Sequence, residues 1–225
     1  MKLLDPQQLA LRFYQTLPHA CSYLANQEAT TIFLDPEAEI THEVYSQLSL
    51  KGFRRSGAHL YRPQCLTCRA CKSARVKVAN FVPSKQQLRV LKRNQQLSAH
   101  LVPARFNEEH YQLYAKYLNA RHADGDMYPA SKEQFTSFLT SDFAWAKFVE
   151  FRTPEKQLLA VAAIDQLADG LAAIYTFYDP SPEVAKLSPG VYAVLWQISY
   201  AQQLKLPYVY LGYYIEESAK MNYKK

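Results

Sequence analysis

Residues 158–178 read LLAVAAIDQLADGLAAIYTFY, two apolar, aromatic-rich runs hinged on Asp169-Gly170. An Asp-Gly pair between such runs supplies the left-handed backbone of a tight turn, so Leu158–Leu167 and Leu171–Tyr178 are expected to pair as antiparallel strands. A third run, AWAKFVEF over 144–151, is set off by Thr153-Pro154 and joins them as a meander. Downstream, Ser188-Pro189-Gly190 opens a helix through VYAVLWQISYAQQLK, and Pro207 precedes a further strand, YVYLGYYI.

Strands, then a helix, then a strand is the order of an acetyltransferase-like (GNAT) core, an α+β fold with a mixed, largely antiparallel sheet. A coenzyme-A-dependent member needs a glycine-rich turn whose amides hold the pyrophosphate. The turn AKLSPGVYA has one glycine, and Pro189 has no N–H. Coenzyme A is therefore not expected as a partner.

Upstream, Thr30–Leu34 and Gly57–Arg62 read as strands, and Arg75–Phe81 alternates with a two-residue period. These short pieces suggest a small N-terminal α/β domain. Ser84 is the expected N-cap of a helix through KQQLRVLKRNQQL, residues 85–97. Asn107 caps another, with Tyr111, Tyr114 and Leu118 as its packing face, and a third follows Ser131 with Phe135, Phe138 and Leu139 inward. The expected boundary separates residues 1–104, basic and cysteine-containing, from 105–225.

Between Val44 and Asn107 there is no Asp or Glu, yet the segment holds 13 of the 26 Lys and Arg residues. The remainder carries 13 basic and 20 acidic groups, so the overall charge of +6 conceals a segregation. Such a footprint fits nucleic acid or another polyanion. Lys85, Arg89, Lys92 and Arg93 fall on one helical face, a stripe able to follow a phosphate backbone. The first residues are interrupted by Asp5, Pro6 and Arg12, and no apolar run reaches 18, so a cytoplasmic protein without a secretory signal or membrane span is expected.

Three of the four cysteines lie in YRPQCLTCRAC, as Cys65, Cys68 and Cys71. With Cys21 they could complete a four-sulfur site for zinc or an iron–sulfur cluster. Free thiols in a loop beside Arg and Lys are the other reading.

The runs CSYL (21–24), FLDP (33–36), GFRRSG (52–57), YRPQCLTCRAC (61–71), VPSKQQLRVLKRN (82–94), RHADGDM (121–127), IDQLADGL (164–171), YTFYDP (175–180), SPGVYAVLWQI (188–198) and LPYVYLGYYI (206–215) resemble, in order, the bacterial leucyltransferases. These are relatives of the eukaryotic arginyl-tRNA–protein transferases. The resemblance implies transfer of leucine from leucyl-tRNA onto proteins with N-terminal Asp or Glu, which marks them for N-degron proteolysis. Departures are Tyr214 where the family usually has Trp, Lys205 where it has Gly, and an expected C-terminal extension beyond Lys225.

That reaction is attack of an α-amine on an aminoacyl ester, with no cofactor required. It needs positioning, a proton acceptor and oxyanion stabilisation. Candidate catalytic groups are Asp124, Asp126, Tyr175 and Tyr178, with Asp179 alongside, although Asp124-Gly125-Asp126 is equally a polar turn. Tyr175 and Tyr178 are three apart and are expected on opposite strand faces. Arg75, then Arg121, is the expected cation for the acceptor's acidic side chain. Lys85, Arg89, Lys92 and Arg93 are expected to grip the tRNA acceptor stem. A non-catalytic RNA-binding protein with a cysteine-liganded metal would explain the basic segment but not the aromatic meander.

Overall fold

Strand pairing divides the chain at the cysteine loop. The computed structural model describes residues 11–123, 125 and 127–218. It begins with strands β1 (Phe13–Gln15), β2 (His19–Ala20), β3 (Glu28–Ala29) and β4 (Thr31–Leu34), then helix α1 (His42–Leu50) and the hairpin β5 (Arg54–Ser56) and β6 (His59–Pro63). Strands β1-β4-β6-β5 form one antiparallel sheet, and β2 pairs with β3.

A second sheet uses β7 (Lys72–Lys77), β8 (Ser98–Pro103) and the meander β9 (Ala146–Arg152), β10 (Leu158–Gln166) and β11 (Gly170–Tyr178), with β12 (Tyr208–Tyr214). Its order is β7-β12-β11-β10-β9-β8, and only β11 and β12 run parallel. A parallel neighbour demands a crossover. Helix α6 (Pro189–Gln203) makes it, after the short α5 (Pro182–Ala185). The remaining helices are α2 (Lys85–Arg93), α3 (Glu108–Arg121) and α4 (Lys132–Leu139). The architecture is mixed α+β. The boundary expected between residues 104 and 105 falls inside this sheet, because both β7 and β8 precede it.

Helices α3 and α4 cover one face, where Tyr114, Leu118, Phe135 and Leu139 pack on Phe148, Val161 and Phe177. Helices α2 and α6 cover the other, with Val90, Tyr192 and Leu195 against Val149, Phe151 and Ile164. The N-terminal sheet and α1 close over Leu167, Ala172 and Tyr210 through Tyr45, Leu48 and Phe53.

The joint between the two sheets is ionic and buried. Arg55 donates from Nε to Asp165 Oδ2 at 2.7 Å and from Nη2 to Oδ1 at 2.9 Å, while Tyr45 donates to Oδ2 at 2.7 Å. Both charged side chains are wholly shielded from solvent. Gly57, at φ 56°, seats the β5–β6 turn on α4, where any Cβ would lie 1.9 Å from the Ser137 carbonyl oxygen. Arg54 donates to the carbonyls of Ala173 and Tyr210. Those carbonyls mark where β11 and β12 part company, since their pairing covers only Gly170–Ala172 and Tyr208–Tyr210.

The caps Ser84, Asn107 and Ser131 form as expected, Ser84 within a capping box. Three expectations change. Strand β7 ends at Lys77, and residues 78–80 form a 3₁₀ turn that buries Val78. Helix α2 stops at Arg93 instead of Leu97, because buried Asn94 turns its amide onto the carbonyls of Val90 and Leu187. Arg54 and Arg55 are buried, so they leave the basic surface for the interior. Helix α1 and strand β8 went unread.

Removing one member of a buried ion pair strands the other. Asp165→Asn is expected to lower stability by about 3–5 kcal/mol in urea unfolding. Lys205 has φ 58°, a left-handed backbone that glycine adopts freely. Lys205→Gly is expected to raise stability by about 1 kcal/mol in the same measurement.

Candidate functional site

The end of β11 gathers several of the expected residues. Tyr117, on the buried face of α3, lies with its ring 6.4 Å from Tyr175 and 4.7 Å from Tyr178. Tyr175 and Tyr178 thus meet one partner although they lie on opposite strand faces as their spacing predicts: Tyr175 packs with Phe177 on the α3 side, and Tyr178 also packs on the α2–α6 side. The β10 register shifts between Ala163 and Ile164, leaving Ile174 unopposed, but this bulge lies before Tyr175, and the pairing from Tyr175 to Tyr178 is regular. Tyr178 is the strand's last residue, and its ring reaches Tyr117 around the strand end.

Polar groups extend this cluster. Arg121 donates from Nη2 to the Tyr178 hydroxyl at 3.5 Å. His122 Nε2 and the Tyr117 hydroxyl lie 3.2 Å apart. Burial, then the neighbouring Tyr175 and Tyr178, pushes the Tyr117 hydroxyl well above the ordinary phenol range. Burial, then Tyr114 and Tyr178, does the same to Tyr175. Both phenols therefore stay neutral near pH 7 and can donate hydrogen bonds. Asp124 and Asp126 lie outside the described residues.

Behind the cluster, Asp179 accepts from Lys116 Nζ at 2.7 Å and from the Ser181 amide at 2.8 Å. Burial raises this carboxyl, but the hydrogen bonds from Lys116 and Ser181 outweigh it and hold it below the usual carboxylate range. The first turn of α6 closes the site: a Cβ on Gly190 would rest 3.7 Å from Tyr178 Cε1. Ser188, just before that turn, is held at φ 56°, a strained setting for serine.

The basic stripe stands beside this turn. Lys85, Arg89, Lys92 and Arg93 are all exposed on α2. Arg89, Lys92 and Arg93 line an open concavity of about 700 Å³ with Gln86 and Gln95. Arg93 and Asn94 bond the carbonyls of Lys186 and Leu187, which lead directly into Ser188.

Arg75 is elsewhere. It pairs with Tyr210 at the start of β12, and its guanidinium stacks 4.0 Å over the Tyr208 ring. Tyr210 pairs with Ala172, so at about 3.3 Å per residue Arg75 sits roughly 20 Å along the sheet from Tyr178.

Cys21, Cys65, Cys68 and Cys71 are all half-buried free thiols. Burial, then Cys65, Cys21 and Cys68, raises the Cys71 thiol to about 11. Among the described residues, no three Cys, His, Asp or Glu side chains are grouped as ligands for one ion.

Two family models cover the chain: "Arginine-tRNA-protein transferase, N terminus" matches residues 19–89, and "Arginine-tRNA-protein transferase, C terminus" matches 109–225. The chain belongs to the arginine-tRNA-protein transferase family. Curated relatives agree. A protein named aspartate/glutamate leucyltransferase from Chromohalobacter salexigens is 54% identical over 222 residues, 98% of this chain and 90% of that one. A namesake from Alcanivorax borkumensis is 55% identical over 214 residues, 95% of this chain and 87% of its own. The solved structure of L-PGS from Bacillus licheniformis is 13% identical with a TM-score of 0.46, covering 64% of this chain and 46% of that one, too distant to assign the fold.

In this member of the transferase family, the sequence reading missed Tyr117 and His122. Tyr117 follows Tyr114 by three, a helical spacing that put both on the buried face of α3. His122 sits inside RHADGDM, but nothing local shows that it meets Tyr117.

Because the Asp179 carboxyl is held low, its hydrogen-bonded form stabilises the fold at neutral pH, and that contribution is lost as pH falls below about 4. Asp179→Asn is expected to be less stable than the natural protein at pH 7, with the gap narrowing towards pH 3 in thermal unfolding.

Proposed function

We propose that the protein moves leucine from leucyl-tRNA onto the α-amine of proteins beginning with Asp or Glu. The observation that carries this reading is the 54% identity to an aspartate/glutamate leucyltransferase over 98% of the chain. The placement of the α2 stripe beside the tyrosine cluster supports it physically. Phosphates bound along Lys85, Arg89, Lys92 and Arg93 would bring an aminoacylated tRNA end to the first turn of α6. The meander, the α6 crossover and β12 serve in this reading as an acetyltransferase-like core, with the aminoacyl ester taking the place of an acyl cofactor. No helix among the described residues is long and apolar enough to cross a membrane.

The ester is already activated, so the protein's contribution is positioning, proton transfer and oxyanion stabilisation. Tyr175, a phenol near the end of β11, is the proposed donor at the tetrahedral oxygen. Arg121, exposed at the rim and bonded to Tyr178, is the proposed partner of the acceptor's carboxylate, a role that fits Arg75 less well at its distance. Transfer in this scheme uses no step through the cysteines.

The test follows radiolabelled leucine from leucyl-tRNA into peptides beginning with Asp, Glu, Arg or Ala. Label is expected on Asp and Glu alone, and Arg121→Ala is expected to reduce the Asp-over-Ala preference by about tenfold or more, as loss of a charge-assisted hydrogen bond would. Absence of transfer by the natural protein would reject the function. Undiminished preference in Arg121→Ala would reject only the role of Arg121.

A further inference from the structure

The tyrosine cluster contains a chain of close side-chain contacts. Tyr178 is at the rim, bonded to Arg121 and packed on the first turn of α6. Its ring lies 4.7 Å from that of Tyr117. The Tyr117 hydroxyl in turn meets His122 Nε2 at 3.2 Å, and the two rings stand edge to face at 5.2 Å. The path thus starts at a site facing substrate and ends at an imidazole.

Aminolysis leaves a surplus proton on nitrogen that some group must accept. Tyr117 and Tyr175 hold their protons too firmly to be its resting place, and the Asp179 carboxylate is committed to Lys116 and Ser181. Arg121 has no acceptor. Imidazole is the side chain whose ordinary titration falls near neutral pH, and here it is joined to the rim by two phenols.

Resting on the leucyl-transfer reading, we propose that His122 is the proton acceptor of the reaction, working through a Tyr178–Tyr117 relay. The lone pair of the free acceptor amine forms the C–N bond to the leucyl carbonyl carbon. The nitrogen gives one proton to the Tyr178 oxygen as Tyr178 passes its own to Tyr117 and Tyr117 passes its own to His122. The C–O bond to the tRNA 3′-oxygen then breaks, and the imidazolium proton returns along the same path to that oxygen. Protons and electrons balance with no further reactant. In this scheme Tyr178 touches the reacting atoms, and Tyr117 and His122 act through it.

Leucine transfer to an Asp-initiated peptide is measured for the natural protein, His122→Gly, Tyr117→Phe and the double variant, each first shown to bind leucyl-tRNA as the natural protein does. His122→Gly and Tyr117→Phe are each expected to lose about 10²–10³-fold in kcat with KM for leucyl-tRNA unchanged, and the double variant little more. Free imidazole is expected to restore His122→Gly, and a series of substituted imidazoles to restore it in proportion to their basicity. If His122→Gly does not fold, Tyr117→Phe with intact tRNA binding and undiminished kcat overturns the relay by itself. Undiminished transfer by His122→Gly, or additive losses, or rescue indifferent to imidazole basicity, also overturns it. No transfer by the natural protein would instead remove the function on which the relay rests.

Discussion

The Arg55–Asp165 pair fixes how the two sheets meet. Neither partner reaches solvent, so each depends on the other and on Tyr45 to replace lost hydration. Such a pair adds little net stability over an apolar replacement, but it tolerates few alternative arrangements, because any shift leaves a buried charge unpaired. Arg55 belongs to β5 and Asp165 to β10, so the hairpin GFRRSG can dock on the meander in one register. Arg54 then caps the fork between β11 and β12, and Gly57 rests on α4.

From that joint the geometry of the site follows outward. β11 is held between β10 and the fork, and its far end presents Tyr175 and Tyr178 to α3. Lys116 ties α3 to Asp179 just past the strand, and Asn94 ties the end of α2 to the residues entering α6. The basic helix, the helix start and the tyrosine cluster are thereby linked through short bonded steps. The basic stripe of α2 and the tyrosine cluster are neighbours because one stretch, residues 179–188, touches both.

Much of this was legible beforehand. The Asp169-Gly170 hinge announced the β10–β11 hairpin, and the three helix caps announced their helices, because turn and cap chemistry are local. The acid-free stretch announced the basic surface of α2. Arg54 and Arg55 were misleading for the opposite reason: a charged side chain reads as surface unless its buried partner is known, and Asp165 lies 110 residues away. Tyr175 and Tyr178 fall on opposite faces as a period of two predicts, because the bulge at Ile174 precedes both; that they still share Tyr117 follows from the place of Tyr178 at the strand end, which the period does not show. Tyr117 and His122 acquire their significance from β11, more than 50 residues later.

The central claim is that the aminoacyl group is received at the end of β11, between Tyr117, Tyr178 and the first turn of α6. A crystal structure with leucine joined to adenosine through a stable 3′-amide tests it directly. The leucyl carbonyl is predicted within hydrogen-bond reach of Tyr175, with the adenosine directed towards α2. A leucyl group bound instead near Arg75, Tyr208 and Asp169 at the other end of the sheet would contradict the account.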